Sequence, residues 1–132
     1  GDGAANMAAM ATAKPAVAKA GERFNYSSAT SVILSDIIAE TLAPGGTPTA
    51  RRDAVLDYLR GRLAEPAGMR SLTPEFDAAG TMIGGSIMHA TARDYAKFGE
   101  LLRLRGVVGD QRILPESWID FMLAPSPTDA GY

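Results

Sequence analysis

Apolar residues recur at helical spacing in several stretches of the chain. Val32-Ile33-Leu34, Ile37-Ile38 and Leu42 carry apolar groups round most of a helix, which predicts an element central to the core. Ser28, Thr30 and Ser31 are available as its N-cap, and the loop Ala43-Pro44-Gly45-Gly46-Thr47-Pro48 ends it. From Thr49 to Leu63 the pattern is amphipathic. Val55, Leu56, Leu59 and Leu63 share one face; Arg52, Asp53, Arg60 and Arg62 share the other, which reads as a solvated face. Pro66 and Gly68 stop this helix, and Met69 follows as a core plug. Thr91 opens the clearest helix, with Asp94 three residues on in a capping-box-like arrangement. Tyr95, Phe98, Leu101 and Leu102 form its predicted buried stripe, Arg93, Lys97, Glu100 and Arg103 its wet face, and Gly106 its C-cap glycine. Pro115 fits N1 of a last helix. Glu116 suits the positive end of that helix, and Trp118, Ile119 and Met122 are expected to bury.

Between these stretches the signal is weaker. Ala4 to Ala20 is alanine-rich and reads as one or two short helices broken at Pro15. Leu72 to Met88 reads as loop, with a short strand near Met82-Ile83. Its pair Gly84-Gly85 implies positive φ or a close backbone approach, with a plain turn as the ordinary alternative. Val107 to Ile113 is a short connector of extended character. The expected fold is mainly α: one helical unit over residues 1–132, with about five helices and long loops.

Composition narrows the function. With 132 residues, 46% hydrophobic and 21% charged, the chain is of ordinary globular make-up, one domain or one piece of a larger one. Lys and Arg number 13 against 15 Asp and Glu, a formal net charge of −2. That balance removes the electrostatic case for a nucleic-acid or anionic-membrane binder. No apolar run approaches the ~20 residues of a membrane-spanning helix. Zero Cys excludes a disulfide framework, thiol catalysis and zinc–thiolate sites, and the single His89 excludes a site that needs two histidines. No metal or organic cofactor is implied. Gly1-Asp2-Gly3 carries neither an initiator Met nor a basic leader, so a removed leader or an internal cut of a longer chain is expected. The compartment stays open, with a periplasmic or secreted location favoured over a cytoplasmic one.

The common chemical signatures are missing. There is no H-E-x-x-H, G-x-S-x-G, G-x-G-x-x-G, S-x-x-K or K-T-G. What stands out is an ordered succession of three segments: Gly21-Glu22-Arg23-Phe24-Asn25-Tyr26-Ser27-Ser28 before an apolar helix; Tyr58-Leu59-Arg60 through Glu65-Pro66-Ala67-Gly68-Met69; and Gly84-Gly85, then Ala90-Thr91-Ala92-Arg93-Asp94-Tyr95-Ala96-Lys97-Phe98-Gly99, then Arg112-Ile113-Leu114-Pro115-Glu116-Ser117-Trp118. Together these resemble the serine β-lactamase and penicillin-binding-protein-like hydrolase family. The closer likeness is to its class C-like branch of esterases, D-amino-acid peptidases and nylon-oligomer-type amidases. The family signature P-G-x-x-F-x-Y-S-N stands here as Ala20 to Ser28, with Ala20 for Pro and Ser28 for Asn. The Ser variation resembles esterase and amidase members. Gly131-Tyr132 resembles the start of the returning strands.

The resemblance implies that the chain is the helical subdomain of an α/β fold whose antiparallel sheet domain is not in this sequence. The nucleophile and lysine of S-x-x-K would lie upstream, and a K-T-G or H-x-G motif downstream. It implies cleavage of a small-molecule amide or ester through an acyl-enzyme, with Tyr26 as the catalytic tyrosine and Ser28 facing the lysine and the substrate amide. Ser86 and His89 fall in a stretch resembling a substrate-pocket wall. Phenols titrate near pH ~10, so a tyrosine base needs a neighbouring cation. Lys14, Lys19 and Lys97 sit on apparent helix faces, and none is placed by sequence to serve Tyr26. Two other readings compete. One is a non-catalytic helical interaction module whose apolar stripes bind partners. The other, a DNA recognition helix from Thr91 to Gly106, is opposed by the acidic balance and by Glu100 on its polar face.

Overall fold

The computed structural model describes residues 5–128, so Gly1-Asp2-Gly3, Ala4 at the head of the alanine-rich segment, and Gly131-Tyr132 lie outside the described residues. In chain order come α1 (Met7–Thr12), α2 (Ser28–Leu42), α3 (Pro48–Leu59), a π-helical turn (Arg60–Ala64), β1 (Thr73–Pro74), β2 (Met88–His89), α4 (Ala92–Arg103), β3 (Val107–Val108), β4 (Gln111–Arg112) and α5 (Glu116–Leu123). Helix dominates, as expected. Among the described residues the strands form two antiparallel pairs, β1 with β2 and β3 with β4, and the strand expected near Met82-Ile83 is only a single bridge from Met82 to Phe76.

Local chemistry sets most helix starts. Asn6 caps α1 by accepting from the Ala9 amide at 2.8 Å. The helix stops before Pro15, and no second helix follows between there and Ser28. Ser27, not Ser28, Thr30 or Ser31, caps α2, its hydroxyl accepting from the Ala29 amide at 3.2 Å. Ser27 is extended, the backbone a cap requires, whereas Ser28 has already entered the helix and keeps its hydroxyl off the cap. Thr47 caps α3, with Pro48 as its first residue. Pro115 stands one position before α5 rather than at its first residue.

Of the predicted apolar face of α3 only Val55 is buried; Leu56, Leu59 and Leu63 are half-buried, while Arg52, Asp53, Arg60 and Arg62 are exposed as expected. The helix does not remain α to Leu63. From Arg60 it widens to π, with the Glu65 amide donating to the Arg60 carbonyl five residues back at 2.9 Å. Met69 is buried as expected, in a cluster with Ala64, Ala67 and Leu101; Leu63, Leu72, Val108, Ile113 and Leu114 pack on it. At the end of α4 the Arg105 and Gly106 backbones turn to positive φ, and the Gly106 amide donates to the Leu101 carbonyl at 2.8 Å.

Several expected burials are corrected. On α2 only Val32, Ser35 and Ala39 are buried, while Leu34, Ile37 and Ile38 are exposed. On α4 Leu101 is buried, but Tyr95 and Phe98 lie largely at the surface. On α5 Ile119 is buried, while Trp118 and Met122 are exposed, Trp118 stacking on Phe121 at 5.1 Å between ring centroids. In each case the elements packed on the helix cover less than its apolar face. Lys97, expected to face water, instead donates to the Gly68 carbonyl and pairs with Asp94 at 2.8 Å.

Candidate functional site

The glycine pair explains how the expected site residues meet. The Ile83 amide donates to the Glu75 carbonyl at 2.9 Å, and Phe76 bridges Met82, so this segment folds back on itself and delivers Gly84-Gly85 to α2. A Cβ on Gly85 would lie 2.7 Å from Ser28 Cβ and 2.8 Å from Ser28 Cα. One on Gly84 would lie 2.3 Å from Ser35 Oγ. Gly84 and Gly85 are the middle of a turn closed by the Ser86 amide on the Ile83 carbonyl at 3.2 Å, so the plain turn and the close backbone approach are both observed.

That contact sets the site's layout. Tyr26, in the extended run before α2 and 74% exposed, lines an open cleft of about 200 Å³ with Phe24, Ser28, Thr30, Ser31 and Gly85. On the other side of Ser28 lies a second cleft of about 170 Å³. Met7, Met10, Ala11, Val32 and Ile83 form its apolar walls, and Lys14, Ser28 and Ser86 bring its polar atoms. Ser28 thus belongs to both clefts, Tyr26 to the first and Ser86 to the second. His89 joins neither. It sits on β2, exposed, with Nε2 3.4 Å from Glu75 Oε1.

Two contributors were not legible in the sequence. Lys14 follows α1 on the alanine-rich segment and reaches the cleft only because α1 packs on α2. Arg51 of α3 has a side chain just 12% exposed and pairs with Asp36 at 2.5 Å and Glu40 at 2.7 Å, both on α2. The Thr81 hydroxyl donates to the same Asp36 oxygen at 3.0 Å, and Thr81 itself is fully buried. Asp77 extends the network. It accepts from the Thr81 and Ala79 amides at 2.9 and 3.0 Å, and from the Met7 amide at 2.9 Å. These bonds join α1, α2, α3 and the glycine-bearing segment, and so fix the setting of both clefts. Paired acids at positions 36 and 40 were the available signal, but nothing local to Arg51 pointed to them.

No group of three or more His, Asp or Glu side chains among the described residues is arranged to hold a metal ion, and no described helix is long and apolar enough to cross a membrane. No family model matches the chain, and no curated protein matches it.

Proposed function

We propose that this chain is the helical subdomain of a serine hydrolase of the β-lactamase and penicillin-binding-protein-like kind, supplying the catalytic tyrosine and one pocket wall for cleavage of a small-molecule amide or ester. The observation that carries the reading is the seating of Gly85 against Ser28, which puts Tyr26 and Ser28 on one cleft and Ser28 and Ser86 on the next. In this reading Tyr26 takes the proton from a serine nucleophile supplied by an upstream S-x-x-K and returns it to the leaving group. The lysine of that motif favours the phenolate. The Ser28 hydroxyl holds the substrate amide, and Ser86 the far wall. His89, outside both clefts, tunes substrate choice at most. Leu34 and Ile37, each 56% exposed on α2, suit a face covered by the remaining segments of the parent hydrolase.

The test is turnover of a p-nitrophenyl ester by the complete enzyme. Tyr26→Phe should lower the rate by ~10²–10⁴-fold, while His89→Ala leaves it near that of the parent. The isolated 132 residues should show none. A parent gene with no S-x-x-K upstream of Gly1 sinks the reading.

The same exposed apolar residues favour a second reading, a non-catalytic helical interaction module. It predicts a defined complex or dimer of this chain with no loss of hydrolysis in Tyr26→Phe, because there is none to lose.

A further inference from the structure

A further cleft, of about 450 Å³, shares no residue with the two around Ser28. Its size falls in the range of small-molecule sites, ~300–1,000 Å³. One wall is the end of α3 and the π-helical turn; the other runs from β4 to the start of α5. The π geometry widens the helix there, and such turns recur at functional sites. Leu59, Leu63, Pro66 and Ile113 supply apolar surface.

Its charge is one-sided. Arg62 and Arg112 line the cleft and no Asp or Glu does, in a chain whose acids outnumber its Lys and Arg, 15 to 13. Among the described residues neither arginine pairs with a carboxylate. Both are held by other means. Arg112 Nη1 donates to the carbonyls of Arg105 and Leu114, each at 3.0 Å, which fixes the plane of its guanidinium. The Arg62 guanidinium lies 5.9 Å from the centre of the Tyr58 ring. Two oriented guanidinium groups beside an apolar wall match a carboxylate on an apolar body, since a guanidinium can give parallel hydrogen bonds to both carboxylate oxygens.

We propose that this cleft binds an amphipathic organic carboxylate, its oxygens on Arg62 and Arg112 and its apolar body on Leu59, Leu63 and Ile113. The site stands apart from Tyr26 and does not depend on the hydrolase reading.

Titration calorimetry of the 132-residue chain with octanoate, 1-octanol, octylamine and inorganic phosphate tests it. Octanoate should bind, and the other three at least ~tenfold more weakly. Arg62→Gln should weaken octanoate by about tenfold, the loss of one charge-assisted contact. Arg112→Gln frees two backbone carbonyls and risks local unfolding, so Gly61→Glu is the second variant. A Cβ at Gly61 meets nothing within 4 Å, and the added carboxylate at the cleft should repel octanoate by a similar factor. Circular dichroism would check that each variant is folded. The proposal is overturned by no octanoate binding at millimolar concentration, by octanol or phosphate binding as tightly, or by octanoate affinity unchanged in both variants.

Discussion

Ser71 gives both of its donors to a single carboxylate oxygen: its amide and its hydroxyl each lie 2.7 Å from Asp94 Oδ2. The other oxygen, Oδ1, takes the Lys97 ammonium at 2.8 Å. The Ser71 hydroxyl oxygen also accepts from the Thr91 amide at 2.9 Å, while Thr91 Oγ1 accepts from the Asp94 amide at 3.3 Å. A capping box would have had Asp94 reach back to the Thr91 amide. Here Ser71, 23 residues from Asp94, takes that amide, and the box becomes a tie between the start of α4 and the segment before β1.

Removing the charge at Asp94 should therefore loosen two elements at once. Asp94→Asn keeps the size but loses the charge that pairs with Lys97, and its single carbonyl oxygen can serve either Lys97 or the two Ser71 donors, not both. It should lower Tm more than Glu100→Gln, which breaks only an exposed pair with Arg103. Ser71→Ala should cost less in the Asp94→Asn background than alone, because the two act in one network. Thermal melts of the parent and the four variants give the answer, and strictly additive losses would show that Ser71 and Asp94 act independently.

The same network sets an acid dependence. The Lys97 ammonium, then the Ser71 hydroxyl and amide, hold the Asp94 carboxyl well below the usual carboxylate range, against the opposing effect of burial. An unfolded aspartate titrates near pH ~4. With the folded value depressed, the stabilisation is complete above that pH and declines as pH falls below it, because only the unfolded chain takes up the proton there. Urea midpoints measured from pH 6 down to pH 2 should fall more steeply for the parent than for Asp94→Asn. Parallel curves would remove Asp94 as the cause.

Glycines in the two settings should respond oppositely to alanine. Gly99 lies in α4 and a Cβ there meets nothing within 4 Å. Gly99→Ala should stabilise by roughly 0.5–1 kcal/mol through helix propensity. Gly85→Ala forces its methyl onto Ser28, at 2.7 Å, and should destabilise by roughly 1–3 kcal/mol as an overpacked contact. Its amide spectrum should also shift at Ser28 and Tyr26. Urea unfolding and a proton–nitrogen correlation spectrum measure both, and a neutral Gly85→Ala with an unchanged spectrum would remove the close packing inferred between the glycine segment and α2.

What the sequence determined by itself was local. The cap at Thr91, the stop at Gly106 and the start near Pro115 each rest on bonds or backbone geometry spanning a few residues, and those interactions act whatever the rest of the chain does. Met69 and the glycine pair were legible for the same reason: a lone apolar residue after a helix stop, and two residues without Cβ, restrict what can stand there. Tertiary structure decided how much of each apolar face is covered. Leu34 and Ile37 share the apolar character of Val32, yet only Val32 finds a wall, since periodicity names a face but not its neighbour. It also paired Arg51 with Asp36 and Glu40, tied Ser71 to Asp94, and brought Lys14 to the cleft beside Ser28. These placements join residues far apart in sequence, and they arise only once the backbone has packed α1 and α3 on α2 and the segment before β1 on α4.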